Sequence, residues 1–358
     1  MKWPSLHLRG IGAALGELVP VASEHPTGQR SISIARHATG MDLAVRAGNA
    51  ALSVLAQVAP APLPVPELHL HSAIWRGSRG IDFWSRASYV RARLGLPAGP
   101  GIAAELNAMS NSLVGGIDLA ARVLSGSSDV DHIMLTGGEV FGPPAFDHLS
   151  ADHGIAYGDG GSAVILGHRP GLARILSTAS YTDPSLEQLH RGNHRFLPAG
   201  TTEPGPERIR ERKRQYVSAV GTDSINTRNT HGIRTVMKHA LADAELAADQ
   251  LAWVLLPHYG HQLLKTHCLR PLGINAERTL RDAGNQWGHL GPNDQIVGLT
   301  HLLARDAIRP GDHLALVGIG IGMTWTAAII RIDSVPTSLR AQAPPLRLPW
   351  RNTTSLIG

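Results

Sequence analysis

A duplicated α/β architecture is what the order of apolar segments predicts. Helices with a 3.6-residue apolar period alternate with short hydrophobic strands along the chain, and each half sets a glycine-rich turn beside a late strand: Tyr157-Gly-Asp-Gly-Gly161 in one, Gly318-Ile-Gly-Ile-Gly322 in the other. With 358 residues there is length for two such units, expected at 1–168 and 169–358 around two packed sheets, and 39 glycines supply many tight turns.

Taken in order, residues 1–22 read as an opening strand and loop. Met41–Ala56 has helical period and alanine content, and the proline-rich run 59–66 is a surface connection into a strand at Leu68–Ile74. Tyr89–Leu96 is expected helical, 102–109 extended, 112–125 helical and Asp131–Thr136 a buried strand. The glycine-rich turn at 155–166 feeds another. The second half opens with a strand at Ala173–Ser177, followed by an irregular polar insertion at about 181–215 that reads as a lid or binding loop. Helices are expected at 230–247, 261–271 and 294–305, with strands at Leu251–Leu256, His313–Gly318 and Thr326–Ile332. The tail after Val335 is expected to be irregular.

Composition narrows the function. Lys and Arg outnumber Asp and Glu by 33 to 28, too small an excess to imply nucleic acid. One cysteine, Cys268, excludes an intrachain disulfide framework and a thiolate cluster and suits a reducing cytoplasm. No apolar run reaches the roughly 18–20 residues of a membrane span. The 19 histidines contain no HExxH-like frame, so no metal is implied.

Four segments carry candidate chemistry. Ser110, in Glu105-Leu-Asn-Ala-Met-Ser110-Asn-Ser, falls where a strand gives way to a helix. Read alone it is an N-cap, but the unpaired amides of a first helical turn also stabilise charge developing beside a nucleophilic Oγ. His258, in Leu255-Leu-Pro-His258, is delivered at a strand end and can move a proton or hold a carbonyl oxygen. Gly288-His289-Leu-Gly-Pro-Asn-Asp294 adds a second imidazole and a carboxylate at a helix start, where an acid also favours the helix dipole. Gly318 to Trp325 forms a turn whose backbone can approach a reacting centre. A basic run including Arg208, Arg210 and Arg212 is a solvated helix face or a contact for phosphate.

In order and content these segments resemble the β-ketoacyl-acyl-carrier-protein synthase III family over about residues 40–333. Tyr157 to Leu166 resembles its GDGA-type strand, Pro257-His258 the start of its PHQAN motif, and Arg309-Pro-Gly-Asp312 with Gly318–Trp325 its closing signature. The resemblance implies the thiolase fold, a duplicated five-layered αβαβα arrangement, in a homodimer with the active site between the halves. It implies Ser110 at the family's nucleophilic cysteine, His258 at its first catalytic histidine, and an oxyanion hole from the amides of Ser110 and Ile321. The third position, an asparagine in the family, falls on His289 by ungapped counting from Pro310-Gly311; Gly284-Asn285 is the other reading.

Serine for cysteine and histidine for asparagine depart from the condensing pattern. They fit a Ser110, His258, Asp294 relay in which His258 takes the proton and Asp294 orients it, with acyl transfer through a seryl ester. The pattern GH-x(4)-D resembles synthase III-like acyltransferases of bacterial secondary metabolism. A starter-unit synthase working by decarboxylative condensation and a silent partner subunit that binds acyl thioesters are the alternatives. The implied donor is an acyl thioester on coenzyme A or, preferred here, on acyl carrier protein, met by the basic run. The acceptor is a small molecule or is itself carrier-bound. No tightly bound cofactor is expected.

Overall fold

The computed structural model describes every residue except Ser23, 59–64, 75–82, Ser128, 194–207 and 347–358. The proline-rich run, the middle of the 181–215 insertion and the end of the tail fall largely outside the described residues.

The first half contains β1 (Lys2–Leu15), β2 (Glu17–Pro20), β3 (Ser31–Ile34), α1 (Gly40–Val58), β4 (Leu68–Ser72), α2 (Arg86–Arg93), β5 (Ile102–Glu105), α3 (Ser112–Gly126), β6 (His132–Glu139) and β7 (Gly160–Gly167). The second contains β8 (Ala173–Thr182), α4 (Gln188–Arg191), α5 (Ile209–Val220), α6 (Thr222–Ala244), β9 (Leu251–Leu255), α7 (His261–Leu264), α8 (Arg270–Leu272), α9 (Arg281–Trp287), α10 (Asp294–Ala304), β10 (His313–Gly320) and β11 (Thr324–Ile332). One expectation is corrected: residues 209–220 are helical. Their outward face is charged and no residue of α5 is fully buried, so the run lacks the apolar stripe by which a helix is recognised.

Nine strands join in the order β5-β4-β6-β7-β1-β8-β11-β10-β9. Pairing senses repeat on the two sides. Strands β4 and β6 are parallel, β6 and β7 antiparallel, β7 and β1 antiparallel; β9 and β10 are parallel, β10 and β11 antiparallel, β11 and β8 antiparallel. The two expected sheets are joined because β1 pairs with β7 over His7–Leu15 and with β8 over Lys2–Leu8, its register breaking between Leu8 and Gly10.

Helices fill three layers around these strands. An alanine face of α1 (Ala44, Ala47, Ala51) packs on Met134, Ala163 and Ile165, and α6 packs Ile233, Val236 and Met237 on Trp325 and Ile329. Between the sheet halves lie α3 and α10, sharing one core through Leu113, Ile117, Ile296, Leu299 and Leu302. Every residue of α10 is buried, its Gln295 and Thr300 side chains donating to the carbonyls of Val317 and Ile296, and each fully buried Leu or Ile contributes about 1.5–3 kcal/mol. These two central helices begin next to each other, which brings Ser110 and Asp294 to one place.

Candidate active site

Ser110 sits in a 3-10 turn, Met109–Asn111, between β5 and α3. The bend puts Met109 in the left-handed region at φ 53°, a conformation costing a residue with a side chain roughly 1–2 kcal/mol. Ser112 pins it: its Oγ accepts from Ala108 N at 2.8 Å and donates to Met109 O at 2.7 Å. Asn111 Nδ2 donates to Thr326 Oγ1 at 2.9 Å, tying the turn to β11. The glycine signature of β10 has its reason here, since a Cβ on Gly318 would overlap Asn111 and one on Gly320 would overlap the Ala108 carbonyl. Ser110 is therefore no N-cap; it is presented, buried, to a cavity.

The imidazole at Ser110 is His289. Its Nε2 lies 2.9 Å from Ser110 Oγ, and its Nδ1 lies 2.6 Å from Asp294 Oδ2. Gly288, at φ 80°, turns the chain so that His289 N donates to Ala156 O at 2.8 Å and His289 O accepts from Gly158 N at 3.0 Å, fixing the ring's base against the other glycine-rich segment. Tyr157 and Tyr259 flank the ring, with centroids 5.4 and 5.7 Å away.

Asp294, the first residue of α10, is a hub. Besides His289 it accepts Leu290 N at 2.7 Å and His258 N at 2.8 Å. Burial favours its neutral form, but the His258 and His289 rings and these donors outweigh that and hold its pKa below the usual carboxylate value.

The expected relay is corrected in one respect. His258 has no hydrogen bond to Ser110; its Nδ1 is 3.1 Å from Gly288 O and 3.2 Å from Asp294 Oδ1, on the far side of the carboxylate. Burial lowers its pKa, against the pull of Asp294, so the ring is neutral. Asn285, the other candidate for the third position, bonds through Nδ2 to His261.

A cavity of 490 Å³ opens from Ser110 and His289 to the surface, with Gly320 and Ile321 in its wall. Arg210, Lys213 and Arg214 of α5 line it, and Arg208, Arg210 and Arg214 also line an adjoining groove; Arg212 lines neither, its stem lying against Gly192. The wall also holds Tyr157, the first residue of the glycine-rich motif, together with Asp152, His190 and Tyr259, which the sequence did not single out. Among the described residues no group of three His, Cys, Asp or Glu side chains is arranged to hold a metal ion, and no helix is long and apolar enough to cross a membrane.

The Ser110 turn, the central helices and the repeated pairing define a thiolase-fold protein with a hydroxyl at its centre. Residues 241–332 match the model of the 3-oxoacyl-[acyl-carrier-protein] synthase III C-terminal region. The β-ketoacyl-[acyl-carrier-protein] synthase III of Synechocystis is 26% identical over 293 residues, 81% of this chain and 82% of the relative. That of Dinoroseobacter shibae is 28% identical over 258 residues, 70% and 73% of the two chains. Among solved structures the acyltransferase ChlB3 superposes with a TM-score of 0.80 at 25% identity, covering 93% of this chain and 99% of its own. In sequence over most of its length, and in fold, the chain is thus similar to β-ketoacyl-acyl-carrier-protein synthase III proteins and to ChlB3.

Proposed function

We propose that this protein is an acyltransferase that takes an acyl group from a coenzyme A or carrier-protein thioester onto Ser110 and passes it, as a seryl ester, to an acceptor. The observation that carries this reading is the hydrogen-bonded series Ser110–His289–Asp294. His289 Nε2 accepts the hydroxyl proton as Oγ attacks the thioester carbonyl, and Asp294 stabilises the imidazolium that forms. The amides of Ser110 and Ile321, which share one cavity wall, are assigned to the oxyanion. The imidazolium then protonates the leaving thiolate. In the second half-reaction His289 takes a proton from the acceptor, whose attack on the ester returns Ser110.

Decarboxylative condensation is the second reading, favoured by the names of the sequence relatives. Enolate stabilisation asks for neutral donors aimed at the substrate. Here one imidazole is paired to a hydroxyl on one side and a carboxylate on the other, the arrangement of a base, and the other faces Gly288 O. Likeness to the acyltransferase ChlB3 supports acyl transfer, and the GH-x(4)-D pattern is the ground for a place in polyketide or other secondary-metabolite biosynthesis. Arg208, Arg210 and Arg214 in the groove beside the cavity suit the phosphates of coenzyme A or a carrier arm; a homodimer in the cytoplasm is part of the same proposal.

Intact-protein mass spectrometry after incubation with acyl and malonyl thioesters tests this. A Ser110-dependent adduct that an acceptor discharges without release of carbon dioxide is the expected result. Malonyl-dependent carbon dioxide release with a product longer by two carbons would replace it with condensation, and no adduct from any donor would leave a silent subunit.

A further inference from the structure

Between Ser110 and the surface, the cavity wall carries polar groups that the relay does not use. Lys213 Nζ stands 2.7 Å from each carboxylate oxygen of Asp152, and these side chains are 18% and 1% exposed. Tyr157 donates its hydroxyl to Asp152 Oδ2 at 3.2 Å while its ring lies against His289, so one phenol ring spans the distance from relay to ion pair. His190 of α4 lines the same cavity. Burial, then the Lys213 charge, push its pKa down to about 3, leaving a neutral ring; its Nδ1 is sealed from solvent without a hydrogen-bond partner among the described residues, so Nε2 is the nitrogen left to meet a molecule in the cavity.

The inventory of donors and acceptors says what this wall can receive. A neutral imidazole offers one N–H and one lone pair, and an ammonium has three protons, of which Asp152 engages two. Buried polar groups left without partners are costly, so the wall is best satisfied by a ligand atom or by water. At the pair itself charge is already balanced, since a carboxylate there would face Asp152 and a cation would face Lys213, while Arg210 and Arg214, uncompensated among the described residues, lie elsewhere in the wall. We propose that His190 and the Lys213–Asp152 pair form a selectivity subsite for an uncharged hydrogen-bonding group, a hydroxyl or an amide, on the molecule that reaches Ser110. Plain hydrocarbon at this level is disfavoured.

The role of that molecule in the reaction rests on the acyl-transfer reading, and two sources supply the chemistry: amides of a thioester's pantetheine arm, or hydroxyls of the acceptor. Two arms separate them, each comparing the parent chain with His190→Phe and His190→Gln. In the first, pantetheine binding to the full chain carrying Ser110→Ala is measured by titration calorimetry. In the second, Ser110 is loaded from acetyl-coenzyme A and its discharge is partitioned between glycerol and 1-propanol. A donor-arm subsite weakens pantetheine binding roughly tenfold in His190→Phe; an acceptor subsite lowers the glycerol preference by a similar factor; His190→Gln restores either. Asp152→Leu with Lys213→Met repeats both arms should His190→Phe fail to fold. Unchanged values in both arms with an unaltered circular dichroism spectrum overturn the proposal, as does a parent chain that neither binds pantetheine nor prefers glycerol. A parent chain whose Ser110 takes no acetyl group sinks the transfer reading and still leaves the first arm to decide the subsite.

Discussion

At the scale of single residues, the two imidazoles have separable duties. His289→Ala is expected to reduce acyl transfer to background, as Ser110→Ala does, because each removes one end of the 2.9 Å contact. His258→Ala, which loses only the bond to Gly288 O and a neighbour of Asp294, is expected to lower kcat/KM by about tenfold, the scale of one hydrogen bond. Equal losses in both variants would return His258 to the centre of the reaction. Asp294→Asn is expected to cost about 10⁴ in transfer rate by disfavouring the required tautomer and the imidazolium; steady-state kinetics with an acyl thioester read both. The places of Ser110 and Asp294 were legible because a strand-to-helix turn and a helix start leave local signals. The choice between His258 and His289 was not, since it depends on a turn that folds the ring of residue 289 back onto a carboxylate five positions later. The spacing GH-x(4)-D held the information, but the strand-end position of His258 outweighed it.

At the scale of elements, β4 carries a latent acid sensitivity. His69 Nε2 and His71 Nδ1 each lie 2.9 Å from Thr136 Oγ1, and burial pushes their pKa values down to about 3 and about 4. The unfolded chain binds protons at these sites near pH 6.5, above the folded values. Their contribution to stability is therefore whole above pH 6.5 and is lost as pH falls towards the folded values. Urea unfolding across pH 7 to 5 is expected to lose up to about 1.4 kcal/mol per pH unit for each ring, and His71→Asn to flatten that slope; an unaltered slope would refute the assignment. Long helices with apolar faces, α1, α3 and α10, were readable from period alone. Helix α5 was not, because its packed apolar side chains, Ile209, Tyr216 and Val217, are few and only partly buried, and a buried ion pair through Lys213 takes the place of a continuous apolar stripe.

For the whole molecule, β5 is a sheet edge beside exposed Ile102 at 64%, Phe83 at 96% and Trp84. Edges of this kind invite a partner strand, and a second copy would cover it. Sedimentation is expected to show a dimer in the parent chain and a monomer in Ile102→Lys; a monomeric parent would refute this. The duplication was visible in the sequence as a repeated grammar of segments, whereas the joining of its sheets was not, since register is a property of pairing and not of composition. That joint sets how the protein can be taken apart. Because β1 lends one stretch to β7 and another to β8, it works as a hinge pin through two leaves: cutting the chain between residues 168 and 169 leaves the first fragment still holding a strand the second needs. Co-expressed halves have a built-in reason to find each other, because the second lacks the strand on which β8 pairs.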